Sequence, residues 1–178
     1  MTKYIFIIII LSIAIYANTL NNEFVSDDIP AIANNQQISE ISEIFHFSPA
    51  WNLVSVSYTL NYLMGGLNPS VYHLTNILIH TLSSILLFFF LRLFFKPEES
   101  FWGSLIFAVH PIHTEAVTWI SGRSYCLSTV FLLSCLLLYA RATSSAKLRT
   151  PSFLFSLFFY FISLYSCTLS LILPAIIV

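Results

Sequence analysis

The chain has 178 residues, of which 57% are apolar and only 8% charged, and its formal net charge is −1. A soluble domain carries about a quarter charged residues, so this chain lacks the polar surface that water demands and reads as an integral membrane protein. The near-zero charge, without a basic tract, excludes nucleic acid as a partner. With no Gly-rich nucleotide loop, no Gly-x-Ser-x-Gly and no Cys-x-x-Cys, a nucleotide-fuelled pump is disfavoured.

A spanning helix needs about 20 mostly apolar residues. The first run is 4–20, preceded by Lys3 and centred on Ile7–Ile10. A cleaved signal peptide with Ala17 at the cut is the competing reading, but the spans that follow favour an uncleaved signal-anchor. A long polar-to-mixed loop, 21–70, comes next. Within it Ile38, Ile41, Ile44 and Phe45 recur at helical spacing, with Ser39, Glu40, Ser42, Glu43 and His46 opposite. That pattern predicts an interfacial amphipathic helix, and Val54–Met64 predicts a second. Spans follow at 71–95, 101–120, 125–140 and 152–166, and an incomplete one at 168–178. Pro111 breaks the third, because it lacks the N–H a helix needs, leaving a re-entrant or interfacial turn at Ala116–Ile120. The expected fold is an all-α membrane protein with about five to six transmembrane helices. Cys126, Cys135 and Cys167 lie inside apolar runs and read as packing residues.

Basic residues cluster at Lys3, at Arg92 and Lys96, and at Arg141, Lys147 and Arg149, with Arg123 the exception. Lys and Arg are in excess in cytoplasmic loops, and two crossings separate each cluster from the next. The N-terminus is therefore expected to be cytoplasmic, with loop 21–70 and segment 110–123 together on the outer face. Of the possible membranes, the bacterial inner membrane is preferred to the endoplasmic reticulum.

Chemistry-bearing residues gather on that face. Asp27 and Asp28 follow the first span; loop acids are usually just solvated, but a carboxylate held at a membrane surface acts as a general base on a hydroxyl. His73, Asn76 and His80 are spaced by three and four residues and share one helical face, a stripe about 10 Å long. Polar groups inside spans are costly and tend to line functional cavities, although structural hydrogen bonding accounts for such a stripe equally well. His110, His113 and Glu115 form a weak metal pattern, lacking His-Glu-x-x-His, and a better lining for a cavity mouth. Arg123 is either an interfacial snorkelling residue or a phosphate clamp suited to its planar donor fork.

Segments carrying these residues match a known family in order: Phe24-Val25-Ser26-Asp27-Asp28; Ser57-Tyr58 through Asn61-Tyr62 to Gly66-Leu67-Asn68-Pro69; Tyr72-His73-Leu74-Thr75-Asn76 with His80; and the run from Phe107-Ala108-Val109-His110-Pro111 to Ser121-Gly122-Arg123. The chain resembles the N-terminal membrane half of the transmembrane-and-tetratricopeptide-repeat glycosyltransferases, GT-C-fold enzymes related to protein O-mannosyltransferases. The resemblance implies a partial GT-C fold and transfer of a sugar from a polyprenyl-phosphate donor to a protein or glycan hydroxyl at the outer membrane face. It implies Asp27 or Asp28 as the base. His73, Asn76, His80, His110, His113 and Arg123 would hold the donor phosphate, and Glu115 would orient a histidine or bind a divalent metal, whose need the residues leave open.

The chain departs from the family pattern at Trp51-Asn52-Leu53, at Tyr125 and at Ser166-Cys167-Thr168. There the relatives carry Tyr-Arg-Pro, an acid, and Ser-Lys-Glu. With tetratricopeptide repeats absent as well, the expectation is a truncated product with reduced or no activity alone. The rival expectation is a non-enzymatic multi-pass protein, a transporter or channel fragment or a scaffold. A transporter places ionisable residues near mid-bilayer in several spans, whereas here they gather at one face.

Overall fold

In lipid the backbone must satisfy its own hydrogen bonds, and the apolar runs of this chain do so as helices. The computed structural model describes residues 1–40, 53–144 and 150–172. Its helices are α1 (Thr2–Tyr16), α2 (Leu53–Gly65), α3 (Pro69–Leu91), α4 (Pro97–Val109), α5 (Thr114–Thr118), α6 (Arg123–Thr143) and α7 (Thr150–Ser166). Short 3-10 or π turns join several of them, and there is no strand among the described residues. The protein is thus an all-α membrane protein.

Among the described residues, three helical segments are long and apolar enough to cross a bilayer: Thr2–Asn21, Pro69–Leu91 and Ile120–Thr143. α7 is apolar but shorter. α4, with 13 residues, reaches about 20 Å, short of the ~30 Å hydrocarbon core. Most of the amphipathic helix expected at 38–47 lies outside the described residues, and its opening part is a 3-10 turn, Gln36–Ser39. The end of the sixth expected span, 173–178, also lies outside them.

Local chemistry sets the helix ends. Asn68 accepts from the Ser70 N–H at 3.1 Å, and Pro69 follows it as the first residue of α3, the position where its missing donor costs nothing. The Lys96 N–H donates to Glu99 Oε2 at 3.0 Å, and Glu98 and Glu99 occupy the first turn of α4, where negative charge suits the helix dipole. α4 stops at His110, whose backbone is extended, because Pro111 disfavours a helical residue before it.

α1 packs along α3 and α4. Ile8, Phe88 and Phe101 form one core cluster, on which the Tyr4 ring stacks 4.8 Å from that of Phe101. Ser12, Ser84, Ser100 and Ser104 are fully buried, small side chains that let membrane helices approach closely. These contacts bring Lys3, Arg92 and Lys96 to one end of the bundle. α6 and α7 pair beside this group. Ser128, Ser163 and Ser170 join them through hydroxyl contacts of 3.0, 2.5 and 2.6 Å. At the end opposite Lys3, loop 21–40, α2 and segment 110–123 meet over a core of Ile32, Ile38, Tyr58, Tyr72 and Ile120.

Candidate functional site

The loop after α1 turns sharply at Ser26, the one non-glycine residue with positive φ (51°) among those described. The turn separates the fates of two adjacent acids. Asp28 is fully buried. Its Oδ2 accepts from the Val25 N–H at 3.2 Å, and its Oδ1 accepts from both the Ser121 N–H at 2.8 Å and the Ser121 hydroxyl at 2.5 Å. Asp27, one residue earlier, is exposed.

Two residues beyond Ser121, Arg123 begins α6 and is also fully buried. Its Nε donates to Asn76 Oδ1 at 2.7 Å, one Nη to Ser57 Oγ at 3.0 Å and the other to the Tyr72 carbonyl at 2.9 Å. The guanidinium lies 4.8 Å from the centre of the Tyr58 ring, a cation–π distance. Burial pushes the Tyr58 phenol up to about 12 against the opposing pull of Arg123, so it stays neutral and donates to the Ile120 carbonyl at 3.2 Å. Asp28 lies within electrostatic range of the guanidinium. Arg123 is therefore an interior cation caged by neutral oxygens, not a residue lying along the surface.

Asn76 is the other half of this joint. Its Nδ2 faces the carbonyls of Val117, Trp119 and Ile120 at 3.3, 3.1 and 3.5 Å. One amide thus binds the irregular 117–120 backbone on one side and the Arg123 Nε on the other. Gly122 makes this fold-back possible, since a Cβ there would sit 2.8 Å from the Glu115 carbonyl oxygen and 3.1 Å from Ala116 Cα. His73, one turn away on α3, is 2% exposed, and its nearest polar partner is the Asn22 backbone, too distant or too bent for an ordinary hydrogen bond. Asp28 and Arg123 both act on it electrostatically.

The remaining histidines form a neighbouring group. His80 Nε2 lies 3.0 Å from the Ala108 carbonyl, and its ring is 5.4 Å from those of both Phe107 and His113. Together with Ser83, Tyr125 and Cys126 these rings line a cavity of about 60 Å³. His110 is exposed, and its Nδ1 accepts from the Ile112 N–H at 3.1 Å, capping the 111–113 turn. His113 is half-buried; burial and then the neighbouring His110 hold its imidazole below the usual range. Glu115 is exposed. Among the described residues, no group of three or more His, Cys, Asp or Glu is placed to hold a metal ion. Between the end of α1 and the His-Pro segment runs a groove of about 270 Å³, lined by Ile15, Tyr16, Asn18, Pro111, Thr114 and Thr118.

Asp28, His73, Asn76 and Arg123 thus meet in one buried joint, and His80, His110 and His113 sit beside it, with Asp27 and Glu115 at the surface. Sequence reasoning assigned no role to Ser57, Tyr58, Tyr72 or Ser121. Their only signal was position, each standing beside a singled-out residue or inside a matched segment.

This arrangement defines an all-α membrane protein whose first loop and His-Pro segment are locked together at one end of its helices. The chain is 35% identical over 157 residues to human protein O-mannosyl-transferase TMTC3, a match covering 79% of this chain and 17% of that relative. It is 35% identical over 152 residues to human TMTC2, covering 76% and 18%, and 34% identical over 148 residues to Drosophila melanogaster Tmtc1, covering 74% and 17%. Over about three quarters of its length the chain is thus a homologue of the TMTC protein O-mannosyl-transferases, and it spans under a fifth of the length of the curated relatives it matches. No family model and no solved structure matches it. The relatives named are animal proteins, so the bacterial setting expected from the sequence gains no support from them.

Proposed function

We propose that the chain is the N-terminal membrane part of a glycosyltransferase that moves a sugar from a polyprenyl-phosphate donor to a protein hydroxyl at the outer membrane face. The observation that carries this reading is the contrast between Asp28, buried and gripped by Ser121, and Asp27, exposed on the same turn. A base must reach its substrate. Asp27 is therefore the base, and Asp28 is the positioning residue that fixes the turn.

In the reaction, Asp27 takes the proton of the acceptor hydroxyl as the oxygen forms a bond to the anomeric carbon. The bond from that carbon to the phosphate oxygen breaks in line, and polyprenyl phosphate leaves with the electron pair. Fixed donors near the leaving group stabilise its charge. His110 and His113 are the candidates, since they stand beside the groove lined by Tyr16, Asn18 and Thr114. Its apolar walls suit an isoprenoid chain. Arg123 and Asn76 hold the segment that presents these histidines.

The test is transfer of labelled sugar from a polyprenyl-phosphate donor by the full-length protein. Asp27→Asn is expected to abolish turnover with little change in thermal midpoint, whereas Asp28→Asn lowers both. Unchanged turnover in Asp27→Asn removes it from the mechanism. The rival reading, a non-enzymatic multi-pass protein, draws on the burial of Asp28 and Arg123, both committed to holding the fold. It predicts no transfer by the wild type.

A further inference from the structure

α4 is too short for the bilayer it enters, and contacts fix where its far end lies. His80 Nε2 meets the Ala108 carbonyl at 3.0 Å, and His80 is the central residue of α3. Since α3 is about 35 Å long, Ala108 stands roughly 17 Å from either end of it. The length of α4, 13 residues, agrees. A helix of about 20 Å that starts beside Lys96 stops ~10 Å short of the opposite face of a ~30 Å core.

The His-Pro segment does not climb back out. His113 stays beside His80, with ring centres 5.4 Å apart. The carbonyls of Val117, Trp119 and Ile120 are bound by Asn76, one turn further along α3 and still about 10 Å from its nearer end. Segment 110–120 is thus tethered at both ends, about 10–17 Å below the end of α3. Exposed polar side chains stand at this level: His110, Thr114 and Glu115, with Ile112 73% exposed between them.

Acyl chains cannot solvate these groups. Ionisable side chains at such depth draw in water and thin the bilayer around them, and a short hydrophobic stretch pulls the lipid the same way. Thr2–Asn21, Pro69–Leu91 and Ile120–Thr143 are each long enough to span, so the deficit is confined to the side of the bundle that α4 occupies. We propose that the leaflet opposite Lys3 thins beside α4, so that water and phospholipid headgroups descend to Glu115 and the His-Pro segment. Nothing in this geometry depends on sugar transfer, and the two are tested apart.

Thiol labelling and bilayer thickness are the two readouts. The full-length protein in phosphatidylcholine nanodiscs is treated with a charged methanethiosulfonate, which modifies only thiols that meet water. Ile112→Cys is expected to label within about ten-fold of the rate at Asn22→Cys in the exposed first loop, and about a hundred-fold faster than Ile10→Cys on the exposed apolar face of α1. The native cysteines, two buried and one half-buried, set the background in the unsubstituted protein. Across monounsaturated chains of roughly 14, 18 and 22 carbons, the thermal midpoint is expected to fall as the bilayer thickens, and to fall less in Glu115→Leu. Labelling of Ile112→Cys as slow as that of Ile10→Cys would mean that lipid or another part of the protein covers the segment, and would overturn the proposal. An equal dependence on thickness in wild type and Glu115→Leu would overturn it too.

Discussion

Ser121 grips Asp28 with two groups at once, its backbone N–H at 2.8 Å and its hydroxyl at 2.5 Å, both on the same carboxylate oxygen and across 93 residues of sequence. This joint fastens the first loop to the His-Pro segment. Hydrogen bonds to charged groups contribute about 1.5–3 kcal/mol. Ser121→Ala should therefore lower the thermal midpoint of the detergent-purified protein. Because the two residues share one interaction, Ser121→Ala/Asp28→Ala should cost less than the two single changes together. Strict additivity would show that the contact contributes nothing.

Arg123→Lys should behave as a severe change. A lysine ammonium lacks the rigid fork that reaches Asn76, Ser57 and the Tyr72 carbonyl in three directions. Asn76→Ala should destabilise similarly, since it leaves the Arg123 Nε and the 117–120 carbonyls without their amide. Protease sensitivity of the 110–123 segment is the readout, and both variants should be cut faster than wild type.

Gly122→Ala should disturb the same segment for a steric reason. Its Cβ would press on backbone atoms of Glu115 and Ala116, which cannot move aside as a side chain does. Overpacking of this kind costs about 1–3 kcal/mol. At Gly66, where φ is +60° and no atom lies within 4 Å of an added Cβ, alanine should cost only the left-handed backbone penalty, about 1–2 kcal/mol. Thermal unfolding of the two variants separates crowding from backbone strain.

His73 is buried with its ring nitrogens poorly satisfied, the Asn22 backbone being their nearest partner, and a buried polar group without a good bond costs about 1–3 kcal/mol. His73→Phe, which keeps a ring, should raise the thermal midpoint. A lowered midpoint would mean that the imidazole is hydrogen-bonded in the membrane.

His113 supplies a pH test. Its imidazole is held below the usual range by burial and by His110, so the folded state favours the neutral ring. Below pH about 6.5 the unfolded state binds the proton more readily, and stability falls as pH drops toward the folded value. Thermal midpoints measured across that window should decline in wild type and less steeply in His113→Asn. Equal slopes would count against the assignment.

The membrane class and the all-α character were legible in the sequence. So was the grouping of Lys3, Arg92 and Lys96 at one end, which the Tyr4–Phe101 stacking places there. These features rest on local quantities, namely apolar run length, helical period and proline breaks, each readable within about 20 residues. The third span was harder to read, because α4 ends at Val109 and the chain folds back as α5 and a 3-10 turn, held by an amide from α3.

What only the tertiary structure decided is which member of each polar set lies inside. Asp27 and Asp28 are the same residue type one position apart, and Arg123 reads equally well as a snorkelling cation. Burying a charge is feasible only where hydrogen-bond partners surround it. Those partners, Ser121 for Asp28, and Ser57, Tyr72 and Asn76 for Arg123, lie 47 to 93 residues away along the chain. Composition thus determines that the chain enters the bilayer, and the long-range polar joint determines which acid is buried and which is left exposed.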